Sequence, residues 1–331
     1  MKTLTSGSVE DAARQIAKQR GLEAEIVRKA IFDAIRIGNL DKGYGFLSFA
    51  GILPVFLPDG TKVAVLPDIH APAHHKRIIW AVKQWLKDFQ PHILIVIGDL
   101  ADMFALSRWP KPPRVAVDGQ KELDESRRLL DSLIEISGAL YVFVIMGNHE
   151  DRIRRYLTDP ASGLAGIVDF STREPILSFH QLMGYKPGDP VIFLYDSQEA
   201  GGFGGGILVN GEFEFHHGYI VRPNPGASPR ADADNTGRST AHGHTHRAGM
   251  GARETTNGAI RWFELGHLAD PTHAYLGYAN LLNNWHPAVG SGLVVGGKLH
   301  LQVLPIKQVS INGQPRFVFT YAGKVYTQSD R

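Results

Sequence analysis

Residues 93–102 read Ile-Leu-Ile-Val-Ile-Gly-Asp-Leu-Ala-Asp, an apolar run of strand length that ends in a glycine and two carboxylates. A related pattern occurs twice more, as KVAVLPDIH at residues 62–70 and YVFVIMGNHE at residues 141–150. Sequence with helical periodicity separates the three runs, at residues 77–89 and 121–137. This β-α-β-α-β order predicts a parallel sheet covered by helices. Ligands of such a sheet gather beyond the carboxyl ends of its strands.

The sequence after Asp189 has a different character, because short apolar runs alternate there with turns that contain glycine. The runs that we interpret as strands are residues 191–195, 206–209, 212–215, 259–264, 292–295, 299–304 and 316–320. Asn312-Gly313 is a strong signal for a two-residue hairpin. We expect a second, mostly antiparallel sheet packed against the first. The predicted fold class is therefore α/β, a two-sheet β-sandwich flanked by helices, with a small N-terminal helical segment.

Composition excludes several classes of protein. The 331 residues carry a net charge of only +2, so no excess of positive charge argues for binding to nucleic acid or membrane. Cysteine is absent, which excludes disulfides, thiolate zinc sites and cysteine nucleophiles. The N-terminus has no apolar signal-peptide core, and the apolar runs are much shorter than the roughly 20 residues of a membrane span. We therefore expect a soluble, cytoplasmic protein with no membrane partner.

Polar side chains with metal-binding chemistry cluster in five short pieces of the chain. These are Asp68-Ile69-His70, Gly98-Asp99-Leu100-Ala101-Asp102, Gly147-Asn148-His149-Glu150, His216-His217-Gly218 and Gly243-His244-Thr245-His246. Aspartate, asparagine and histidine at the ends of several strands suit a pair of divalent metals. Two such metals supply a hydroxide with a depressed pKa and positive charge for phosphoryl oxygens. The candidate ligands are Asp68, His70, Asp99, Asn148, His217, His244 and His246.

The ordered motifs D-x-H, G-D-x-x-D, G-N-H-E, H-G and G-H-x-H resemble the calcineurin-like metallophosphoesterase superfamily over about residues 60–270. The resemblance implies a β-sandwich flanked by helices, with the metals at the strand ends. It implies two ligand sets that share Asp99 as a bridge: Asp68, His70, Asp99 and His246 for the first metal, and Asp99, Asn148, His217 and His244 for the second. It also implies that His149 contacts the scissile phosphate or protonates the leaving oxygen. Asp102 is expected to orient His149 through a carboxylate–imidazole hydrogen bond.

Several histidines near these motifs have alternative interpretations. His216 competes with His217 as a ligand, but His217 directly precedes the glycine of its motif, and strand alternation places the two imidazoles on opposite faces. For His242 we favour packing within a strand over ligation. His74 and His75 either meet substrate at the rim of the site or belong to a solvated loop.

Departures from the family pattern restrict which subfamily the sequence can resemble. In protein Ser/Thr phosphatases the second motif continues Asp-Arg-Gly, whereas here Asp102 is followed by Met103 and Phe104. The missing arginine disfavours a phosphoprotein phosphatase. Arg152, on the helix after the third motif, is either a solvated helix residue or a substrate contact.

Residues 222–238 are rich in proline, glycine and aspartate, and we interpret them as a loop that is either a lid over the substrate or a flexible surface segment.

The N-terminal sequence has helical periodicity over residues 8–37. Ala17, Gly21 and Val27 reproduce the spacing of a helix-turn-helix, which makes nucleic acid a candidate partner. The alternative is a helical hairpin used for packing or oligomerisation. Residues 39–60 are rich in glycine and aromatic residues and predict a linker or a small hairpin.

We therefore expect an N-terminal helical hairpin with its linker at residues 1–58, and a metallophosphoesterase domain at residues 59–331. The predicted activity is metal-dependent hydrolysis of phosphate esters, in particular phosphodiesters, with nucleic acid as one candidate substrate. A hydroxide bridging two divalent metals would attack phosphorus. The metals are expected to be Mn²⁺, with Fe, Zn²⁺, Ni²⁺, Co²⁺ or Mg²⁺ as alternatives. The alternative functions are a phosphomonoesterase acting on small molecules or phosphoproteins, and a nucleic-acid-binding protein with a vestigial metal site.

Overall fold

The computed structural model describes residues 33, 35–37, 48–111, 113, 115–170, 175–186, 188–196, 204–256, 258–277 and 284–328. The predicted helix-turn-helix positions Ala17, Gly21 and Val27 lie outside these residues, so the N-terminal hairpin stays a prediction. Within the described part of the chain, no helix has the length and apolar character needed to cross a membrane.

The described residues form three sheets, five α-helices and three short 3₁₀ helices. The strands are β1 (Arg36–Ile37), β2 (Ser48–Ala50), β3 (Ile52–Phe56), β4 (Lys62–Leu66), β5 (Ile93–Val96), β6 (Tyr141–Ile145), β7 (Val191–Tyr195), β8 (Gly206–Val209), β9 (Phe213–His216), β10 (Ser239–His242), β11 (Ala248–Thr255), β12 (Gly258–Leu265), β13 (Ala288–Val295), β14 (Lys298–Pro305), β15 (Lys307–Ile311), β16 (Gln314–Tyr321) and β17 (Lys324–Thr327). The α-helices are α1 (Lys76–Phe89), α2 (Gly119–Ser137), α3 (Arg152–Thr158), α4 (Phe179–Leu182) and α5 (Ala227–Thr236). The 3₁₀ helices are Phe104–Leu106, Ser162–Leu164 and Ala274–Leu276.

Two large sheets carry the candidate site. One has the strand order β14-β13-β4-β5-β6-β7-β2, and its strands β4 to β7 pair in parallel, as the alternation of strands and helices predicts. The other has the order β1-β3-β8-β9-β10-β12-β11. This second sheet is mixed, so the prediction of a mostly antiparallel sheet is wrong. Its strands β9, β10 and β12 are parallel, and helix α5 supplies the crossover from β9 to β10 that a parallel pair requires.

The two sheets pack face to face, and helices cover the outer face of the sheet that contains β5. Alternation along β5 shows this directly, because Ile95 packs with Phe215 of the opposite sheet while Val96 packs with Trp85 of α1 and Leu130 of α2. All five side chains are buried, so each face of β5 contributes to a different apolar core. The predicted two-sheet sandwich flanked by helices is confirmed.

Three segments differ in detail from the sequence-based expectations. Within residues 39–60, β2 pairs with β7 of one large sheet and β3 pairs with β8 of the other. Leu53 and Val55 of β3 are buried in the core between the sheets. Residues 222–238 contain helix α5 rather than only a loop. Its Pro229 lies in the first turn, where the missing N–H removes no helical hydrogen bond, and Gly237 ends the helix in a left-handed conformation.

The hairpin predicted at Asn312-Gly313 joins β15 to β16. Both residues have positive φ, 51° and 73°, as a type I′ turn requires. These strands do not extend the second large sheet but form a third, small sheet with β17. Phe319 of β16 packs edge-on against Trp85 of α1, with ring centroids 6.1 Å apart, so this sheet covers the outer side of the helix.

We expect Phe143→Ala to destabilise the fold by about 3–5 kcal/mol, because it opens a cavity in the core between the sheets. Phe143 is 0% exposed, whereas Phe170 is 94% exposed and provides a matched control. Phe170→Ala should change the free energy of unfolding by no more than about 0.5 kcal/mol. Denaturant-induced unfolding of both variants measures the difference, and equal effects would contradict this packing.

Candidate metal centre

The candidate ligands lie just beyond strand ends of both sheets. Asp68 follows β4, Asp99 follows β5 and Asn148 follows β6, each within three residues of the end of its strand. In the opposite sheet His217 directly follows β9, and His244 follows β10 by two residues. Since β4 to β6 are parallel to one another, as are β9 and β10, each sheet delivers its ligands at one edge.

The first predicted ligand set converges in the interior. His70 Nε2 lies 3.0 Å from His246 Nε2 and 3.7 Å from Asp99 Oδ2. Asp68 Oδ1 lies 3.2 Å from His246 Nε2. All four side chains are buried and offer one ligand atom each to a common point.

The second predicted set shares Asp99 with the first. His217 Nε2 is 3.4 Å from Asp99 Oδ2 and 3.1 Å from Asn148 Oδ1, and His244 Nδ1 is 2.8 Å from the same Asn148 oxygen. One carboxylate oxygen, Asp99 Oδ2, therefore faces both sets. Its other oxygen, Oδ1, accepts a hydrogen bond from the His149 backbone N–H at 3.0 Å.

Local hydrogen bonds fix which imidazole nitrogens are available as ligands. His217 Nδ1 lies 3.0 Å from the Ile97 carbonyl oxygen, and since a carbonyl only accepts, Nδ1 must carry the proton and Nε2 is left facing Asp99. By the same argument the Asp102 carboxylate, 3.0 Å from His70 Nδ1, leaves His70 Nε2 facing His246. These Nε2 atoms thus face other nitrogen and oxygen acceptors, an arrangement that a cation, or a proton in its place, would stabilise.

The charges within the centre perturb its pKa values. Burial raises the pKa of Asp68 to about 7, although the nearby His217 opposes the shift. Burial also disfavours a charged Asp99, but His217 and His149 hold the pKa of Asp99 well below its usual range. Burial lowers the pKa of His217, yet the Asp99 charge and hydrogen bond outweigh it and raise that pKa to about 10. A site that draws a proton onto His217 has the excess negative charge that divalent cations neutralise.

The backbone at the ligands is unusual, because five of the seven candidates have positive φ. The values are 43° for Asp68, 54° for His70, 50° for Asp99, 66° for His244 and 60° for His246. Residues other than glycine adopt this left-handed region rarely, and such strained positions cluster at functional sites. The folded chain therefore holds these side chains in orientations that the local sequence alone would not favour.

The glycines of the motifs are required by close approach. A Cβ added to Gly98 would overlap the His217 imidazole, one on Gly147 would overlap the Asp99 carboxylate, and one on Gly243 would overlap the Asp68 carboxylate. Each of these glycines thus makes room for a candidate ligand that belongs to a different motif.

Glu150 connects the second and third motifs. Its buried carboxylate accepts hydrogen bonds from the backbone N–H groups of Gly147 at 2.7 Å, Ala101 at 2.9 Å and Asp99 at 3.2 Å. Burial and the charge of Asp99 raise the pKa of Glu150 to about 7, despite these hydrogen bonds. Glu150 belongs to the third motif, but its role could not be predicted from the sequence. Its hydrogen bonds are made to backbone groups, which no pattern of side chains reveals.

His149 lies beside the two ligand sets. Its Nδ1 is 2.8 Å from the backbone carbonyl oxygen of Asp102 and 3.5 Å from the carboxylate, whose shorter contact is the one with His70. Asp102 thus contacts both histidines, and its main chain makes the closer contact with His149. Arg152, which sequence reasoning left open, donates from Nη1 to the Asp102 carbonyl at 2.7 Å and from Nη2 to His149 Nε2 at 3.2 Å.

The competing histidines lie elsewhere. His216 Nε2 is 3.2 Å from Thr240 Oγ1, and His242 Nε2 is 3.3 Å from Asp232 of α5, on the side of the sheet away from Asp99. His75 is the N-cap of α1, where its Nδ1 accepts from the Ile78 N–H at 3.4 Å.

Two further residues near the site carried no sequence signal. Glu264 accepts hydrogen bonds at 2.5 Å from Thr245 Oγ1, between His244 and His246, and from the Gly226 N–H before α5. Trp285 packs edge-on against His246 with ring centroids 4.1 Å apart. Both act through contacts with segments distant in sequence, which a single sequence does not display.

Comparison with known proteins identifies the family. The family model for calcineurin-like phosphoesterases matches residues 61–248, which is more than half of the chain. The protein therefore belongs to the calcineurin-like phosphoesterase family. It is also similar to the Gene 54 protein of Mycobacterium phage D29, with 27% identity over 254 residues that cover 74% of this chain and 93% of that protein.

Solved structures with a similar course of the chain include two Vps29 proteins. Vps29 of Chaetomium thermophilum is 12% identical, with a TM-score of 0.37, over 81% of this chain and 98% of its own. Vacuolar Protein Sorting 29 from Cryptosporidium parvum is 14% identical, with a TM-score of 0.38, over 80% of this chain and 100% of its own.

We expect Gly147→Ala to lower metal affinity about 10- to 100-fold, because the added methyl group displaces the Asp99 carboxylate. Gly163→Ala is the matched control, since a Cβ there meets no atom within 4 Å. Titration of the metal-free proteins with Mn²⁺ by calorimetry measures the difference. Wild-type affinity in the Gly147 variant would show that Asp99 is not held in this position.

Proposed function

We propose that this protein is a metal-dependent hydrolase that cleaves phosphodiesters. The observation that supports the proposal most strongly is the position of Asp99, whose Oδ2 lies between two sets of buried imidazole, amide and carboxylate donors. Membership of the calcineurin-like phosphoesterase family supports this reaction class, and the donor chemistry suits divalent cations such as Mn²⁺.

The residues that would hold the metals are the two predicted sets. Asp68, His70 and His246 would hold one ion, Asn148, His217 and His244 the other, and Asp99 would contact both. When bound, the ions supply a nucleophile activated from water at neutral pH and positive charge for the phosphoryl oxygens. Mn²⁺ is the proposed metal, since mixed oxygen and imidazole sites accept it readily.

His149 and Arg152 would act directly on the substrate. Arg152 Nη2 donates to His149 Nε2, so in this arrangement the Nε2 lone pair is occupied. A phosphoryl oxygen entering the cavity competes for the same guanidinium, since charge-assisted bonds between arginine and phosphate are strong. Once Arg152 turns to the phosphate, His149 Nε2 would be free to take up a proton from solvent and give it to the leaving oxygen, while the Asp102 carbonyl keeps Nδ1 protonated.

The shape of the surrounding surface favours a diester over a monoester. A cavity of about 310 Å³ lies over Asp99, Asn148 and His149, with Trp109 and Trp285 among its lining residues. A second cavity, of about 540 Å³, shares Trp109, Asn148 and Arg152 with the first. A diester has substituents on two ester oxygens, and this extended cleft offers room for both.

Metal-dependent turnover of a chromogenic diester tests the proposal. We expect hydrolysis that requires Mn²⁺, disappears with a chelator and falls at least about 100-fold in Asp99→Asn, because the shared carboxylate is lost. Asp124→Asn is the control, since Asp124 is an exposed residue of α2 that contacts Gln120.

A matched monoester, p-nitrophenyl phosphate, distinguishes a phosphodiesterase from a phosphomonoesterase. A higher kcat/KM for the diester supports the proposal, and a clear preference for the monoester would replace it with a phosphomonoesterase. If neither ester is hydrolysed in a metal-dependent reaction, the protein would instead be a binding protein with an inactive centre.

A further inference from the structure

A cavity beside the metal centre combines exposed aromatic rings with a surplus of positive charge. Its charged lining residues are Arg108, Lys111, Arg152 and Arg155 against the single carboxylate of Asp159. Such a surface repels cationic ligands and attracts polyanions. Because the cavity shares Asn148 and Arg152 with the space over the ligands, a ligand that fills it continues into the candidate metal centre.

The aromatic part of this cavity consists of Trp109 and Tyr156. Trp109 is 63% exposed and Tyr156 is 46% exposed, although tryptophan and tyrosine are usually more deeply packed. The Arg108 guanidinium lies 5.6 Å from the centroid of the Trp109 ring. An exposed indole next to an arginine is the combination that binds a nucleobase by stacking and its phosphate by charge.

The cations differ in how strongly they are already paired. Arg155 Nε donates to Asp151 at 2.7 Å, and Lys111 Nζ donates to the Ser107 carbonyl at 2.6 Å. Arg108 forms no ion pair with any residue in the described part of the chain, and it is exposed. Arg108 is therefore the cation best placed to bind a phosphate without breaking an ion pair or a hydrogen bond to the described residues.

The segment that presents Trp109 is held in place before any ligand arrives. The Glu122 carboxylate of α2 accepts hydrogen bonds from the Phe104 N–H at 2.6 Å and the Ala105 N–H at 2.8 Å. The buried Ser107 accepts from the Trp109 N–H through its hydroxyl at 3.2 Å. A preorganised segment loses little conformational entropy on binding, which suits a recognition surface.

We propose that this cavity is a nucleoside-phosphate subsite, in which a base stacks on Trp109 and a neighbouring phosphate contacts Arg108. The inference rests on the proposed function, since the subsite would position a phosphodiester of the same molecule at the metal centre. It assigns the substrate class: a nucleotide diester or a single strand of nucleic acid. Trp109 and Arg108 would determine specificity without taking part in the chemistry.

Two diesters that differ only in the nucleoside test the subsite. Methyl p-nitrophenyl phosphate and thymidine 5′-(p-nitrophenyl phosphate) share a leaving group. Trp109→Ala should raise KM for the thymidine diester about 10-fold with little change in kcat, because a stacking contact is lost. The same variant should raise KM for the methyl diester several-fold less than for the thymidine diester, since the methyl substrate has no base to stack. Trp80→Ala is the control, as Trp80 lies on α1 and lines neither cavity.

Binding provides a readout that is independent of turnover. The full-length protein with Mn²⁺ is titrated against a fluorescent, hydrolysis-resistant phosphorothioate thymidine octamer at several salt concentrations. Arg108→Gln should weaken binding and reduce the slope of log Kd against log salt by about 0.7, which corresponds to one phosphate contact on a single strand. Arg128→Gln, on an exposed position of α2, should match wild type.

If thymidine 5′-phosphate displaces the labelled octamer as strongly as unlabelled octamer does, the ligand is a mononucleotide. If it displaces the octamer more weakly, the ligand is a single strand of nucleic acid. Both results support the subsite. Equal losses on the two diesters, or octamer binding unchanged in both variants, would overturn it while leaving the phosphoesterase proposal intact. A phosphoserine peptide that competes equally in wild type and Trp109→Ala would also overturn it. If wild type hydrolyses neither diester, the proposed function fails, and octamer binding alone decides the subsite.

Discussion

The arrangement of the centre depends on how the Asp99 carboxylate divides its two oxygens. Oδ1 is occupied by the His149 backbone N–H, and Oδ2 faces imidazoles that come from both sheets. A carboxylate with both oxygens bound to backbone groups would have fewer lone pairs left for other donors, and one with neither bound would rotate more easily. The backbone contact therefore fixes the orientation, and the sandwich serves to bring the remaining donors to the free oxygen.

Much of this could be predicted from the sequence because the ligands follow strands. In a parallel sheet, successive strands end at the same edge, so the positions of Asp68, Asp99 and Asn148 after their apolar runs were enough to place them together. The sequence favours His217 over His216 because His217 directly precedes the glycine of its motif. Alternation predicts that the two imidazoles lie on opposite faces, and the structure puts them in different surroundings. These inferences needed only local patterns and one topological rule.

The remaining features depend on contacts between segments that are distant in sequence. Glu150 acts on backbone N–H groups, and no residue pattern identifies backbone groups as partners. Helix α5 forms in a segment rich in proline and glycine, because its own Asp232 and Ala233 side chains are buried and Glu264 binds the Gly226 N–H that precedes it. Local propensity favoured a loop there, and tertiary packing overrode it. For Arg152 the sequence left two alternatives, a solvated helix residue or a substrate contact, since only the folded chain places it on His149.

The bare Cα atoms at Gly98, Gly147 and Gly243 have a consequence for protein engineering. Each of these three glycines leaves space for a side chain of another motif, so the pieces are mutually dependent in shape as well as in chemistry. A designer who grafted only the seven candidate ligand side chains onto another scaffold would find the donors unable to approach one another. Transplanting this centre therefore requires these glycine positions as well as the candidate ligands.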